Sequence, residues 1–120
     1  MKILVVDDAR AMRMIVIRTL RQAGFVGHEI SEAANGVQAL AAIRASTPDL
    51  VLCDWNMPEM TGIELLTHLK RNGPALNFGF VTSEGTQHMR ALATEAGALF
   101  LITKPFTAEI FQAALGGIVR

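Results

Sequence analysis

Short apolar runs alternate five times with helically periodic stretches along these 120 residues, and that rhythm restricts the possible folds more than any single motif does. Residues 3–6 read as a first strand that ends at Asp7 and Asp8. Met12, Ile15, Val16, Leu20 and Ala23 then recur at three- and four-residue spacing, giving a helix that Gly24 stops, with Arg10, Arg13, Arg18 and Arg21 on its wetter side. A weak, polar alternation over residues 28–33 fits an edge strand, and Asn35-Gly36 turns into a helix carrying Val37, Leu40 and Ile43 that Thr47-Pro48 closes. Residues 50–53 are apolar without a break, as in a strand covered on both faces, and they deliver Asp54 into a loop that Pro58 keeps from becoming helix. Ile63, Leu66 and Leu69 mark a third helix ending near Asn72-Gly73-Pro74. A fourth strand over residues 78–81, interrupted by Gly79, exits at Thr82-Ser83-Glu84. Met89, Leu92, Ala93 and Ala96 form a helix closed by Gly97, and residues 99–102 form a fifth strand leading to Thr103-Lys104-Pro105. The last helix carries Ile110, Phe111, Ala114, Leu115 and Ile118, weakened by Gly116 and Gly117 at about 1 kcal/mol each relative to alanine.

Strand and helix repeated in this order predict an α/β fold, a doubly wound five-stranded parallel sheet with right-handed crossovers and five helices over its two faces. One domain over residues 1–120 is expected, with no linker. Eleven basic and eleven acidic side chains cancel, so the positive field of a nucleic-acid or membrane-surface binder is missing and neither partner is expected. A single cysteine, Cys53, forms no intramolecular disulfide and reads as a small buried hydrophobe. The first residues turn acidic too soon for a signal peptide, and no run reaches the ~18 apolar residues of a membrane span, so a reducing cytoplasmic setting is the expectation.

Ligands of open parallel sheets sit beyond the carboxyl ends of the strands, which directs attention to Asp7, Asp8, Asp54, Thr82 and Lys104. Carboxylates crowded together repel unless a cation offsets them, and a hard dication such as Mg2+ takes one or two carboxylates, several waters and phosphate oxygens. Asp8 and Asp54 are suited to bind it directly, Asp7 through water, and Asn56 through its backbone carbonyl. With Asp54 as nucleophile, Lys104 as a point charge and Thr82 as a hydroxyl donor, the set meets the needs of phosphoryl transfer. Each residue also has a plainer role. Asp8 serves equally as a helix cap, Asp54 alone as a turn residue, Thr82 as a strand-end hydroxyl and Lys104 as an exposed lysine before proline. Their joint occurrence at successive strand ends favours the chemistry. His28, His68 and His88 share no metal-binding spacing and read as surface residues, while the dispersed methionines read as packing.

Val5-Val6-Asp7-Asp8, Asp54-Trp55-Asn56-Met57-Pro58 followed by Gly62, Val81-Thr82-Ser83 and Lys104-Pro105-Phe106 together resemble the signatures of bacterial response-regulator receiver domains across the whole chain. The resemblance implies a flavodoxin-like sheet in the order 2-1-3-4-5. Asp54 would accept a phosphoryl group from a sensor histidine kinase, and Asp7, Asp8, Asp54 and Asn56 would hold Mg2+. Thr82, Ser83 and Lys104 would contact the phosphoryl group, and the Lys104-Pro105 peptide would be cis. The Asp54-to-Pro58 motif, Met12-Arg13 and Glu84 are similar to the chemotaxis-type, single-domain branch, in which positions 56 and 84 flank the phosphoryl group and tune its loss to water. Such a protein is a self-dephosphorylating monomeric switch, not an enzyme acting on a metabolite. Its output goes through another protein, the flagellar motor or another effector, unless the chain is the front of a longer regulator.

One position departs from the resemblance. Where the family commonly has Tyr or Phe three residues before the lysine, this chain has Leu101, and Phe100 should face the other side of the strand. Leu99, Phe100 and Leu101 then either dock an apolar partner on the surface of the fourth helix, fifth strand and fifth helix or simply pack. Two other classes compete. A small Mg2+-dependent phosphohydrolase would want an acid where Asn56 stands, and a flavin binder would want a Gly/Ser/Thr-rich phosphate loop after the first strand.

Overall fold

A computed structural model describes residues 1–119. Its elements run β1 (Lys2–Val6), α1 (Arg10–Gln22), β2 (Glu29–Ala33), α2 (Gly36–Ala45), β3 (Leu50–Cys53), α3 (Gly62–Asn72), β4 (Asn77–Thr82), α4 (Gln87–Ala96), β5 (Leu101–Thr103) and α5 (Ala108–Leu115). All four strand pairings are parallel, and the order is β2-β1-β3-β4-β5. This is the doubly wound, flavodoxin-like sheet expected from the alternation. Among the described residues no helix is long and apolar enough to cross a membrane.

Alternation along the strands divides the core. Leu4, Val6, Val51, Cys53, Phe78 and Phe80 face a cluster with residues of α2, α3 and α4, whereas Ile3, Val5, Leu50, Leu52, Val81 and Ile102 face one with residues of α1 and α5. Burying each large side chain contributes about 1.5–3 kcal/mol, so the apolar runs of β1 and β3 hold both layers. Cys53 is fully buried, as its apolar neighbours suggested.

Local chemistry sets the helix starts. Asn35 accepts from the Gln38 amide, Thr86 from Met89 and Thr107 from Ile110, while Thr61 and Glu64 form a reciprocal capping box. The glycine in β4 has a packing reason. A Cβ on Gly79 would lie 2.1 Å from the Phe100 ring, which crosses that face of the sheet.

Three details differ from the sequence expectation. The fifth strand begins at Leu101 instead of residue 99. Leu99 and Phe100 already pair with β4, through Leu99 N to Phe78 O at 2.8 Å and Phe80 N to Phe100 O at 3.0 Å, but the chain is still leaving the left-handed Gly97 that ends α4. The last helix stops at Leu115 because Gly116 and Gly117 loosen the winding into a turn, although Val119 beyond them is buried. Of the histidines, His88 is exposed but His28 and His68 are half-buried. Phe100 packs on the α1/α5 side and Leu101 against the opposite cluster, as alternation required, while Leu99 is 54% exposed.

Candidate functional site

Register brings the chemical residues together. Val6 pairs with Cys53, so Asp7 and Asp54 leave the sheet side by side; Thr82 pairs with Thr103, so Lys104 follows next to it. Backbone bonds fix these exits, with Asp54 N donating to Val6 O at 2.9 Å, Asp7 N to Ala33 O at 3.1 Å and Lys104 N to Thr82 O at 2.8 Å. The Lys104-Pro105 peptide is cis.

Asp7 and Asp54 are buried, and carboxylate oxygens of Asp7, Asp8 and Asp54 lie within 4.8 Å of one another. Lys104, with a side chain only 16% exposed, places Nζ 3.0 Å from Asp7 Oδ2 and 3.6 Å from Asp54 Oδ2. Asp7 Oδ1 accepts from the Ala9 amide at 2.9 Å, and Asp54 Oδ1 from the Trp55 amide at 2.8 Å. Of the two Asp54 oxygens, Oδ2 is therefore the one left facing the lysine. Burial raises the Asp54 pKa above the usual carboxylate value; Lys104 opposes that rise, Asp7 adds to it, and the Thr82 hydroxyl and Trp55 amide oppose it. The Thr82 hydroxyl does so without reaching hydrogen-bond geometry: it is fully buried and has no hydrogen-bond partner among the described residues. Beneath the site, burial and then the charges of Asp54 and Asp7 push the Cys53 thiol well up, which favours its protonated form.

The plainer roles fare unevenly. The N-cap of α1 is Ala9, with no side-chain cap, so Asp8 does not serve as one; it is exposed at the rim of the cluster. Asp54 does make a local turn bond, but only with one oxygen. Thr82 does end β4, as a strand-end hydroxyl would, but it is fully buried, and Lys104 is not an ordinary exposed lysine. Asn56, Ser83 and Glu84 are exposed at the mouth, and among the described residues none of their side chains bonds to the cluster.

Gly62 belongs to the site in a different sense. Its amide donates to Trp55 O at 2.8 Å, and a Cβ there would lie 2.3 Å from the Asp54 carbonyl oxygen, so α3 begins hard against the Asp54 backbone.

The sequence reading cited Arg13 within the Met12-Arg13 motif and did not single out Arg90, so the contacts of both arginines escaped it. Arg13, assigned to the wet side of its helix, is half-buried and bonds to the Asp7 carbonyl and to Glu32. Arg90 joins the Gly85 and Leu101 carbonyls, fastening the turn after β4 to the open edge of β5. Only position offered a signal: Arg13 lies in the first turns of α1, which face the strand ends.

An acidic cluster, a lysine paired into it and a buried hydroxyl at adjoining strand ends of this fold agree with a family match, because residues 3–115 fit the response regulator receiver domain. The chain belongs to that family. This receiver is 38% identical over 117 residues to the chemotaxis protein CheY of Pseudomonas aeruginosa, covering 93% of this chain and 90% of that protein. It is likewise 38% identical over 123 residues to chemotaxis protein CheY-3 of Vibrio cholerae, covering 98% and 91%. Its backbone is similar to chemotaxis response regulator CheY4 of Vibrio cholerae, with a TM-score of 0.84, 30% identity and 98% of each chain covered. A receiver domain protein from Clostridium thermocellum gives a TM-score of 0.83 at 26% identity, covering 98% and 92%. As a receiver, the chain is a two-component signalling module and not an enzyme for a metabolite.

Proposed function

We propose that this receiver is a phosphorylation-driven switch in which Asp54 accepts a phosphoryl group from the phosphohistidine of a sensor kinase. Asp54 Oδ2 attacks phosphorus, the phosphorus–nitrogen bond breaks, and its electron pair returns to the imidazole, which takes up a proton. Water later attacks the same phosphorus, releasing inorganic phosphate and restoring the carboxylate. Lys104 faces the reacting oxygen, and the Trp55 amide holds the other one. The observation that carries the reading is the Thr82 hydroxyl, buried beside this carboxylate with no hydrogen-bond partner among the described residues, since a group so placed is costly unless a ligand completes it.

Asp7, Asp8 and Asp54, with the Asn56 carbonyl, fit a hard dication: three carboxylates are clustered, and one lysine, paired with Asp7 and Asp54, offsets only part of their charge. When bound, Mg2+ supplies the charge that neutralises the phosphoryl oxygens. Thr82 donates its hydroxyl to the phosphoryl group and Ser83 lines the exposed side, so the β4–α4 turn and the α4/β5/α5 surface respond to phosphorylation. Asn56 and Glu84, at the mouth, tune the loss to water. The relatives' chemotaxis names support a chemotaxis role, with a flagellar motor or another effector protein as output. Residues 1–120 then act as one monomeric receiver in the cytoplasm.

Trp55, the sole tryptophan, reports on this directly because its amide bonds to Asp54. Its fluorescence is expected to change on adding Mg2+ and again on adding acetyl phosphate, the second change being lost in Asp54→Asn. A wild type without the second change would overturn the reading.

A further inference from the structure

Asp7 is tied to the edge strand on both sides of its residue. Its amide donates to Ala33 O at 3.1 Å, and its carbonyl accepts from Arg13 Nη1 at 2.7 Å, while Arg13 Nε donates to Glu32 Oε1 at 2.9 Å. Glu32 and Ala33 are consecutive at the end of β2, so one guanidinium, 13% exposed, completes a bracket from the Asp7 carbonyl back to the strand that already holds its amide. That carbonyl belongs to the peptide joining Asp7 to Asp8. Among the described residues Arg13 is the donor it has, and the buried Asp7 leaves little room for water to replace it.

We infer that Arg13 is a positioning residue for the acidic cluster, with Glu32 holding its guanidinium in place. This deepens the phosphoacceptor reading and rests on it. The bracket sets the Asp7-Asp8 peptide so that the exposed Asp8 carboxylate turns in toward Asp7 and Asp54, and it stabilises the turn in which the Ala9 amide bonds to Asp7 Oδ1. A two-point contact suits arginine, whose planar fork bonds a carbonyl and a carboxylate at once; lysine has one compact head. Arg13 acts through backbone and touches no reacting atom.

Charge and position predict opposite signs, which makes the role testable. Deleting a cation near three carboxylates would by itself tighten Mg2+ binding. Loss of positioning weakens it, by roughly tenfold or more for an outer residue that orients metal ligands. Mg2+ titration followed by Trp55 fluorescence is expected to show weaker binding in Arg13→Ala, partial recovery in Arg13→Lys and a smaller loss in Glu32→Ala. In metal-free protein, the Ala9 amide is expected to exchange hydrogen faster in Arg13→Ala than in wild type. Equal or tighter Mg2+ binding in Arg13→Ala, or an Ala9 amide as protected as in wild type, overturns the inference. If Arg13→Ala does not fold, Glu32→Ala carries both measurements, and unchanged values there overturn it. A wild type that binds no Mg2+ defeats the phosphoacceptor reading instead, and the exchange measurement separates the two failures.

Discussion

Lys104 is bonded to Asp7, at 3.0 Å, more closely than to Asp54, at 3.6 Å. In the resting site the lysine therefore neutralises a metal-ligand candidate as well as facing the proposed nucleophile, Asp54. Lys104→Gln removes a charge-assisted bond from a buried carboxylate, and metal-free stability should fall by about 1–3 kcal/mol. The same change removes a competitor for the carboxylates, so Mg2+ should bind more tightly and restore part of the lost stability. Urea unfolding with and without Mg2+ checks both; an equal loss in the two conditions would contradict the shared role of Lys104.

Asp54 carries a pH signature. Burial holds its folded pKa above the unfolded value near ~3.9. The stabilising proton is thus fully present below the unfolded pKa and is lost as pH rises through the higher folded pKa, leaving a buried charge that opposes folding. Asp54→Asn cannot ionise. In metal-free buffer at pH 7 it should melt above wild type, and the gap should close as pH falls through the folded pKa. A variant that melts at or below wild type at pH 7 would show that Lys104 outweighs burial.

Thr82→Val replaces an unpartnered buried hydroxyl with a methyl group. Unphosphorylated protein should shift by no more than about 1 kcal/mol, because the desolvation cost that disappears is offset by the support the hydroxyl gives the Asp54 charge. Phosphorylated Thr82→Val should show smaller amide shift changes at Gly85 and Leu101 than wild type. A destabilised variant with wild-type shift changes would remove the hydroxyl from the switch.

Asn56 and Glu84 are both exposed at the mouth of the site, where they can govern how water approaches phosphorus. Phosphoaspartate lifetimes in Asn56→Ala and Glu84→Ala should differ from wild type in at least one variant by several-fold. Unchanged decay in both would place its timing elsewhere.

The chain's rhythm made the sheet and helices legible because β3, and β1 beyond its exposed Lys2, are buried on both faces and have no polar residue to blur them. Boundaries were legible only where a strong breaker acts alone. Gly97 ended α4 as read, but its left-handed exit delayed β5 to Leu101, and two glycines ended α5 before its apolar pattern did. The acids, Thr82 and Lys104 could be read as a set because strand ends converge in this fold. Arg13 was legible as part of the Met12-Arg13 motif, but its bond to the Asp7 carbonyl was not, since periodicity assigns a helical arginine to solvent. Nor could the orphaned state of the Thr82 hydroxyl be read, because it depends on what every neighbour fails to offer.

The most direct test of phosphoryl acceptance at Asp54 is the intact mass of the protein after incubation with acetyl phosphate and Mg2+. Wild type should gain one phosphoryl group, which chelation of the metal prevents and Asp54→Asn abolishes. A wild type that gains none, or an Asp54→Asn variant that gains as much as wild type, would contradict the account.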